Sequence, residues 1–192
     1  MRDVADGRIG GVTSMDISQY ITLRAEVARL GYVREIEWAQ SVQPVSDPVM
    51  FWCEFAWVVL NSGMRAQVAA GIWARVRPTV QNGGRAGDVF GHKGKSAAID
   101  HVWANREALL AEYLLAEDKI ACLRGLPWIG AITCWHLAKN YGHDCAKPDR
   151  HLIRIAGAEG VDALCARLSA ESGDRIATVD TVIWRAANLR LV

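Results

Sequence analysis

The residues with the clearest chemical potential lie in the segment Lys147-Pro148-Asp149-Arg150-His151. A carboxylate such as Asp149 can stabilise the positive charge that builds on a sugar when the bond at its anomeric carbon breaks. Upstream, Leu126-Pro127-Trp128-Ile129-Gly130 is a short apolar turn that precedes a predicted helix. Main-chain N–H groups at such a turn can bind a phosphate. Together the two segments predict a site that holds a phosphate and acts on the nucleotide attached to it.

The spacing of these segments resembles the helix-hairpin-helix/Gly-Pro-Asp superfamily of DNA repair glycosylases. That family's pattern is roughly L-P-G-[IV]-G-x-x-[ST]-A, a helix, a glycine and P-[VL]-D-T-H-[VI]-x-R. The positions in register with it are Leu126, Pro127, Ile129, Gly130, Thr133, Gly142, Asp149, His151 and Arg154. The resemblance extends more loosely to about Phe51. It implies an all-α single domain over residues 1–192, in which two helical subdomains flank a cleft and the helix-hairpin-helix core covers about 116–157.

Two upstream stretches resemble the same family in the right order. Residues 51–64 stand where glycosylases have F-x…L-[SN]-x-Q and a loop that enters the DNA, although Gly63 replaces the common glutamine. Met64 is a candidate wedge for the space that an extruded base leaves. Residues 91–99 are similar to G-x-x-x-K-A-x-x-I, with Lys95 at the lysine.

The resemblance implies roles for individual residues. Asp149 is the expected catalytic carboxylate, although an aspartate here is also a good helix N-cap. Gly130 is expected to adopt a positive φ that permits close phosphate approach, whereas Trp128 replaces the family's first glycine. The expected DNA contacts are Leu126, Pro127, Trp128, Ile129, Gly130, Ala131, Thr133, Lys139, Lys147, Arg150, Asn61, Met64 and Lys95.

Ile132 stands where bifunctional family members carry a Schiff-base lysine. An isoleucine cannot form an imine with the sugar, so the expected enzyme is monofunctional and leaves an abasic site. Lys147 is another nearby amine, but it is expected to pair with phosphate or lie in solvent. His151 either supports the loop that holds Asp149 or packs in the core. Asp180, in a local Val-Asp-Thr look-alike without a preceding hairpin, is interpreted as unrelated to catalysis.

Eight tryptophans are spread along the chain. Enzymes that extrude a base need aromatic surfaces to stack it. Most of these tryptophans are expected in the core, and Trp52 and Trp135 are the candidates for a base pocket.

Composition limits the cofactors and the compartment. The formal net charge is only +1, so no global basic field indicates nucleic acid, although lysines and arginines outnumber acids between residues 139 and 154. The five cysteines include no C-x-x-C pair, and the polar segment 1–11 does not resemble a signal peptide. The sequence therefore predicts reduced thiols in the cytoplasm of a bacterium or of a phage-infected cell. No zinc site, iron–sulfur cluster, membrane segment or required cofactor is expected. The resemblance implies only an optional cation on the hairpin carbonyls.

Helical patterns extend nearly throughout, and no alternating strand is visible. Asp16 and the pair Asp47-Pro48 are expected N-caps, and Pro78 is expected to follow a helix end. The predicted helices cover 16–30, 49–60, 64–76, 95–112, 116–124, 131–141, a short stretch from 149, 161–172 and 174–189.

Three functions are compatible with these features. The first is a monofunctional DNA glycosylase, a monomer that flips a damaged or modified base from double-stranded DNA and hydrolyses its N-glycosidic bond with the help of Asp149. The second is a phage-type transferase on the same scaffold, which would add an amine to an activated 5-hydroxymethyluracil. The third is a helix-hairpin-helix module that binds DNA without chemistry.

Overall fold

The computed structural model describes residues 14–192, and all regular secondary structure in that range is helical. The predicted all-α class is therefore confirmed for this part of the chain, while the segment 1–11 lies outside it. The helices are α1 (Ile17–Val27), α2 (Val33–Ser41), α3 (Pro48–Asn61), α4 (Ala66–Gln81), α5 (Lys93–Ala104), α6 (Arg106–Leu115), α7 (Lys119–Arg124), α8 (Thr133–Asn140), α9 (Arg150–Ala156), α10 (Val161–Ser172) and α11 (Ile176–Asn188). A π-helical turn, Ala28–Tyr32, joins α1 to α2.

The helices bury two apolar clusters. The central helices, α3 to α8, enclose the first, which includes the fully buried Phe51, Phe55 and Leu137. Helices from both ends of the described chain, α1, α2 and α9 to α11, enclose the second around Tyr20 and Leu164. The ends of the chain thus pack together, because α1 and α2 both lie against α11.

Helix α8 is anchored in the first cluster by its last residues and the turn that follows. The Tyr141 ring stacks on Phe51 with the ring centroids 4.8 Å apart. Its hydroxyl donates to the main-chain carbonyl of Phe51 at 2.7 Å. This buried contact fixes α8 against α3, and it thereby fixes the turn that leads into α8.

Local capping signals located several helix ends correctly. The Asp16 carboxylate accepts from the Gln19 main-chain N–H at 2.8 Å, in a reciprocal capping box. Asp47 caps α3 by accepting from the Met50 N–H at 2.8 Å. After α3, Gly63 takes a φ of +70°, the left-handed conformation that ends many helices.

Two predicted helix limits are wrong for identifiable reasons. Helix α4 continues through Pro78, because the proline removes only one main-chain hydrogen bond while Val76 and Val80 are both buried in the first cluster. The predicted helix 95–112 is two helices that meet at Asn105. The Asn105 side chain donates to the His101 carbonyl at 2.8 Å, a local bond that competes with helix continuation.

Helix α2 was not predicted. It follows Gly31, whose φ of +97° kinks the chain after α1. Only Ile36 and Ala39 of α2 are buried, so its apolar pattern is too sparse to recognise from the sequence. Within residues 14–192, none of the helices has the length and apolar character needed to cross a bilayer.

Candidate functional site

The turn predicted to bind phosphate connects α7 and α8, which pack against each other. Leu126 and Ile129 point into the first cluster and are nearly fully buried, so they hold the turn rather than offering side chains to a ligand. Trp128, Gly130 and Ala131 are exposed. The turn therefore presents one large aromatic side chain and a stretch of main chain to solvent.

The special backbone conformation in this turn falls at Trp128 and not at Gly130. Trp128 has a φ of +65°, whereas Gly130 does not adopt a positive φ. The expectation for Gly130 was therefore wrong. Moreover, the Gly130 N–H donates to the Thr133 hydroxyl at 2.7 Å. Trp128 thus keeps a left-handed conformation at the position where the family pattern has glycine, which is strained for a residue with a Cβ.

Packing onto a neighbouring loop explains how Trp128 is held. Its indole lies against Gly94, where an added Cβ would come within 2.5 Å of the Trp128 Cζ2 atom. Its ring also meets the His92 ring edge-on, with the centroids 5.1 Å apart. Lys95, one residue on, donates from Nζ to the Ser62 carbonyl at 2.6 Å. The structure therefore brings together the turn and the two upstream segments that the sequence singled out.

Asp149 is the N-cap of α9, as the sequence allowed. Its Oδ1 accepts from the main-chain N–H groups of His151 at 2.9 Å and Leu152 at 3.2 Å. The second oxygen, Oδ2, lies 3.9 Å from Nζ of Lys147. The Asp149 side chain is 12% exposed. Capping thus orients one carboxylate oxygen and leaves the other facing a cation.

Lys147 is held in place from its backbone. Its N–H donates to Oδ1 of Asp180 at 3.1 Å. Burial lowers the pKa of the Lys147 ammonium below its ordinary value, although the charge of Asp149 opposes the shift. Lys147 is therefore a partly buried neighbour of Asp149, which differs from its expected place against phosphate or in solvent.

A pocket of about 530 Å³ adjoins Asp149. The pocket lies between the end of the α7–α8 turn and helices α9 and α11. It is lined by Ile132, Pro148, Asp149, Arg150, His151, Ile153, Trp184 and Asn188. Ile132 and Asp149 therefore line the same pocket. Trp184 and Asn188 were missed, because they come from the last helix and nothing in their local sequence links them to Asp149.

Lys139, an expected DNA contact, is buried. It is 8% exposed, and its ammonium pairs with Asp180, which is 1% exposed. Lys139 also donates to the Thr181 hydroxyl at 3.3 Å. This buried pair excludes a phosphate contact by Lys139 in the folded chain. Asp180 thus holds Lys139 and, through the N–H of Lys147, the segment that leads to Asp149.

Four other predicted site residues pack inside the protein or against its core. Lys95 is 6% exposed, so its role is to tie α5 to the α3–α4 loop. Trp52 is fully buried and donates from its indole N–H to the Ile99 carbonyl at 3.1 Å, so it cannot wall a pocket. Met64 packs against the first cluster, as does Trp135.

Several exposed cationic side chains lie on the segments that adjoin the turn and the pocket. Arg150 is exposed beside Asp149, Arg124 at the end of α7, Lys93 beside Gly94, and Arg65 in the α3–α4 loop that Lys95 contacts. Asn61 is half-buried at the end of α3. None of the three basic neighbours was named from the sequence, because their proximity depends on loops that are distant in the chain.

The described residues form neither a metal-ligand cluster nor a disulfide. Within the described range, His, Cys, Asp and Glu side chains do not form a group of three that would hold a metal ion. All five cysteines are free thiols.

Comparison with known proteins found no match, since no family model, no curated protein and no solved structure is significantly similar to the chain.

Proposed function

We propose that the protein is a monofunctional DNA glycosylase that acts on an extruded base. The observation that carries the proposal is the pocket in which Ile132, from the α7–α8 turn, lies with the capped carboxylate of Asp149. In the family that the sequence resembles, a lysine at the position of Ile132 and an aspartate at the position of Asp149 act on the same sugar. Because Ile132 has no amine, hydrolysis without strand cleavage is favoured.

The proposed reaction breaks the N-glycosidic bond, and the departing base takes the bonding electron pair. Positive charge then develops on the sugar. A carboxylate oxygen beside the anomeric carbon stabilises that charge and orients the attacking water. Asp149 suits this role because it lines the pocket, its Oδ1 is fixed by two main-chain N–H groups, and its Oδ2 lies 3.9 Å from Nζ of Lys147.

The proposed DNA surface is the area where the turn, the α3–α4 loop and the start of α5 meet. Its accessible groups are the Trp128 indole, the main chain of Gly130 and Ala131, and the exposed cations Arg65, Lys93, Arg124 and Arg150. Cations on a face of a protein with little net charge give local phosphate affinity. Such binding should weaken steeply as salt is added.

The test is mass spectrometry of duplex DNA incubated with the protein. The substrate panel would include alkylated, oxidised, deaminated and phage-type modified bases. Release of a free base, together with an abasic site in an unbroken strand, is the expected result. A heavier base that stays in the strand would replace the glycosylase with a base transferase. DNA binding without any change in mass would leave a binding module and overturn the proposed function.

A further inference from the structure

Trp184 from α11 forms an aromatic wall of the pocket beside Asp149. It is partly buried and packs against the second cluster, so the core does not enclose the indole completely. The next residue, Arg185, places its guanidinium over the Trp184 ring, with Cζ 4.9 Å from the ring centroid. A guanidinium is attracted to the face of an indole at this distance. Arg185 is therefore a direct support of the pocket wall.

The same guanidinium is held by two residues from the first helices of the fold. Its Cζ lies over the Tyr32 ring, 4.3 Å from the ring centroid. Its Nε donates to Oε2 of Glu35 at 2.9 Å, and its Nη2 donates to Oε1. Two parallel hydrogen bonds fix the plane of a guanidinium, which a lysine ammonium in the same place would not reproduce. Arg185, whose side chain is 20% exposed, is thus ordered by three contacts at once.

The π-helical turn Ala28–Tyr32 explains how Tyr32 and Glu35 reach α11. Gly31 takes a φ of +97°, a conformation that glycine adopts readily and that redirects the chain between α1 and α2. Glu35 then lies in the first turn of α2, which packs against α11. Short π-helical turns are frequent at functional sites. The kink couples the first two helices to the wall of a pocket that α9 and α11 form.

We propose that Arg185 is a positioning residue of this pocket, which acts through Trp184 and holds the indole where a planar ring of the substrate stacks on it. Tyr32 and Glu35 in turn hold Arg185. Stacking depends on the mutual orientation of two ring planes, and a wall that is ordered before binding avoids the entropic cost of being ordered by the ligand. The inference rests on the proposed function, which supplies the ring as a nucleobase.

The experiment follows the Trp184 indole by fluorine-19 NMR in the intact chain labelled with 5-fluorotryptophan. The chain has eight tryptophans, and the Trp184 resonance is the one that Trp184→Phe removes. The probes are adenosine, guanosine, cytidine and thymidine. Arg185→Met removes the guanidinium, Tyr32→Leu removes its aromatic partner, and Tyr32→Phe keeps the ring. Arg106→Met is the matched control, since it breaks a similar contact, at 4.2 Å from the Trp103 ring, outside the pocket.

At least one nucleoside should shift the Trp184 resonance of the wild type. That nucleoside should bind about fivefold more weakly to Arg185→Met and to Tyr32→Leu, and as in the wild type to Tyr32→Phe and Arg106→Met. The resonances of the other tryptophans should stay in place in Arg185→Met, which separates a local role from a loss of fold. No response of Trp184 to any nucleoside, or unchanged affinities in both Arg185→Met and Tyr32→Leu, would overturn the inference.

Base excision gives a second readout, which a purely structural role would not change. The single-turnover rate constant at saturating protein should fall about tenfold in Arg185→Met, because a misplaced ring loses its productive orientation. The affinity for duplex DNA should stay within about twofold of the wild type, since phosphate contacts dominate it. Tyr32→Phe should excise at the wild-type rate and Tyr32→Leu more slowly.

The two proposals fail in different ways, because nucleoside binding requires neither DNA nor Asp149. A Trp184 response that depends on Arg185, without excision of any base, would retain the positioning role and remove the glycosylase. Excision at the wild-type rate by both Arg185→Met and Tyr32→Leu would retain the glycosylase and remove the positioning role.

Discussion

Ile132, just before α8, and Asp149, the N-cap of α9, line the same pocket although a helix and a loop separate them in the chain. A substitution at residue 132 therefore changes the same pocket that Asp149 lines. The shared pocket also defines the place where an amine would meet a sugar held beside Asp149. Ile132 is 41% exposed, so a longer polar side chain can be accommodated there.

Ile132→Lys should therefore gain the ability to form an imine with an abasic sugar. Borohydride would reduce that imine to a stable protein–DNA crosslink, visible by electrophoresis. The wild type and the control Ile132→Met should give no crosslink. If Ile132→Lys binds an abasic duplex as tightly as the wild type but is not trapped, the sugar does not lie at this pocket.

The buried pair of Lys139 and Asp180 should matter greatly for stability. Asp180→Asn leaves the Lys139 ammonium buried without its counter-charge, and we expect a loss of about 3 kcal/mol in the free energy of unfolding. Adding Lys139→Met to that variant should recover most of the loss. Urea denaturation measures both changes, and Glu26→Gln, which breaks an exposed ion pair, should leave the midpoint almost unchanged. Equal midpoints for Asp180→Asn and the wild type would show that the pair is not formed.

Partial burial of the His136 imidazole should make stability depend on pH. The pKa of His136 is about 3 in the folded chain and 6.5 ordinarily. Its contribution to the free energy of unfolding is therefore fully present above pH 6.5 and is lost as the pH falls toward 3. Because the side chain is partly exposed, we expect a loss of about 2 kcal/mol near pH 4. The free energy of unfolding of His136→Gln should vary less with pH over this interval. Parallel profiles for the two proteins would contradict the buried neutral imidazole.

The positive φ of Trp128 should be detectable by comparing two substitutions. Trp128→Gly and Trp128→Ala both lose the packing of the indole on His92 and Gly94, but only glycine relieves the strained backbone. Trp128→Gly should therefore be more stable than Trp128→Ala by about 1 kcal/mol in thermal unfolding. The opposite order would show that residue 128 has an ordinary φ in solution.

The sequence predicted the features that depend on short-range chemistry. Asp16 and Asp47 were located as N-caps because a carboxylate bonds to N–H groups of the next helical turn. Asp149 was likewise recognised as a good N-cap, and it caps α9.

The features that the sequence did not predict depend on partners distant in the chain. Lys139 looks like an accessible base until Asp180, on the last helix, is brought against it. Trp52 was a candidate for the base pocket, but it is fully buried, and the indole in the pocket beside Asp149 is that of Trp184 from the last helix. The periodicity of apolar residues identifies the buried face of a helix, but it does not show whether other helices cover that face completely.

The most direct test of the central claim is the single-turnover rate of base excision by Asp149→Asn. Asparagine is also a good N-cap, so α9 and the affinity for DNA should be preserved. We expect a rate roughly 100-fold or more below that of the wild type at equal DNA occupancy. Excision at the wild-type rate by a folded, DNA-bound Asp149→Asn protein would contradict it.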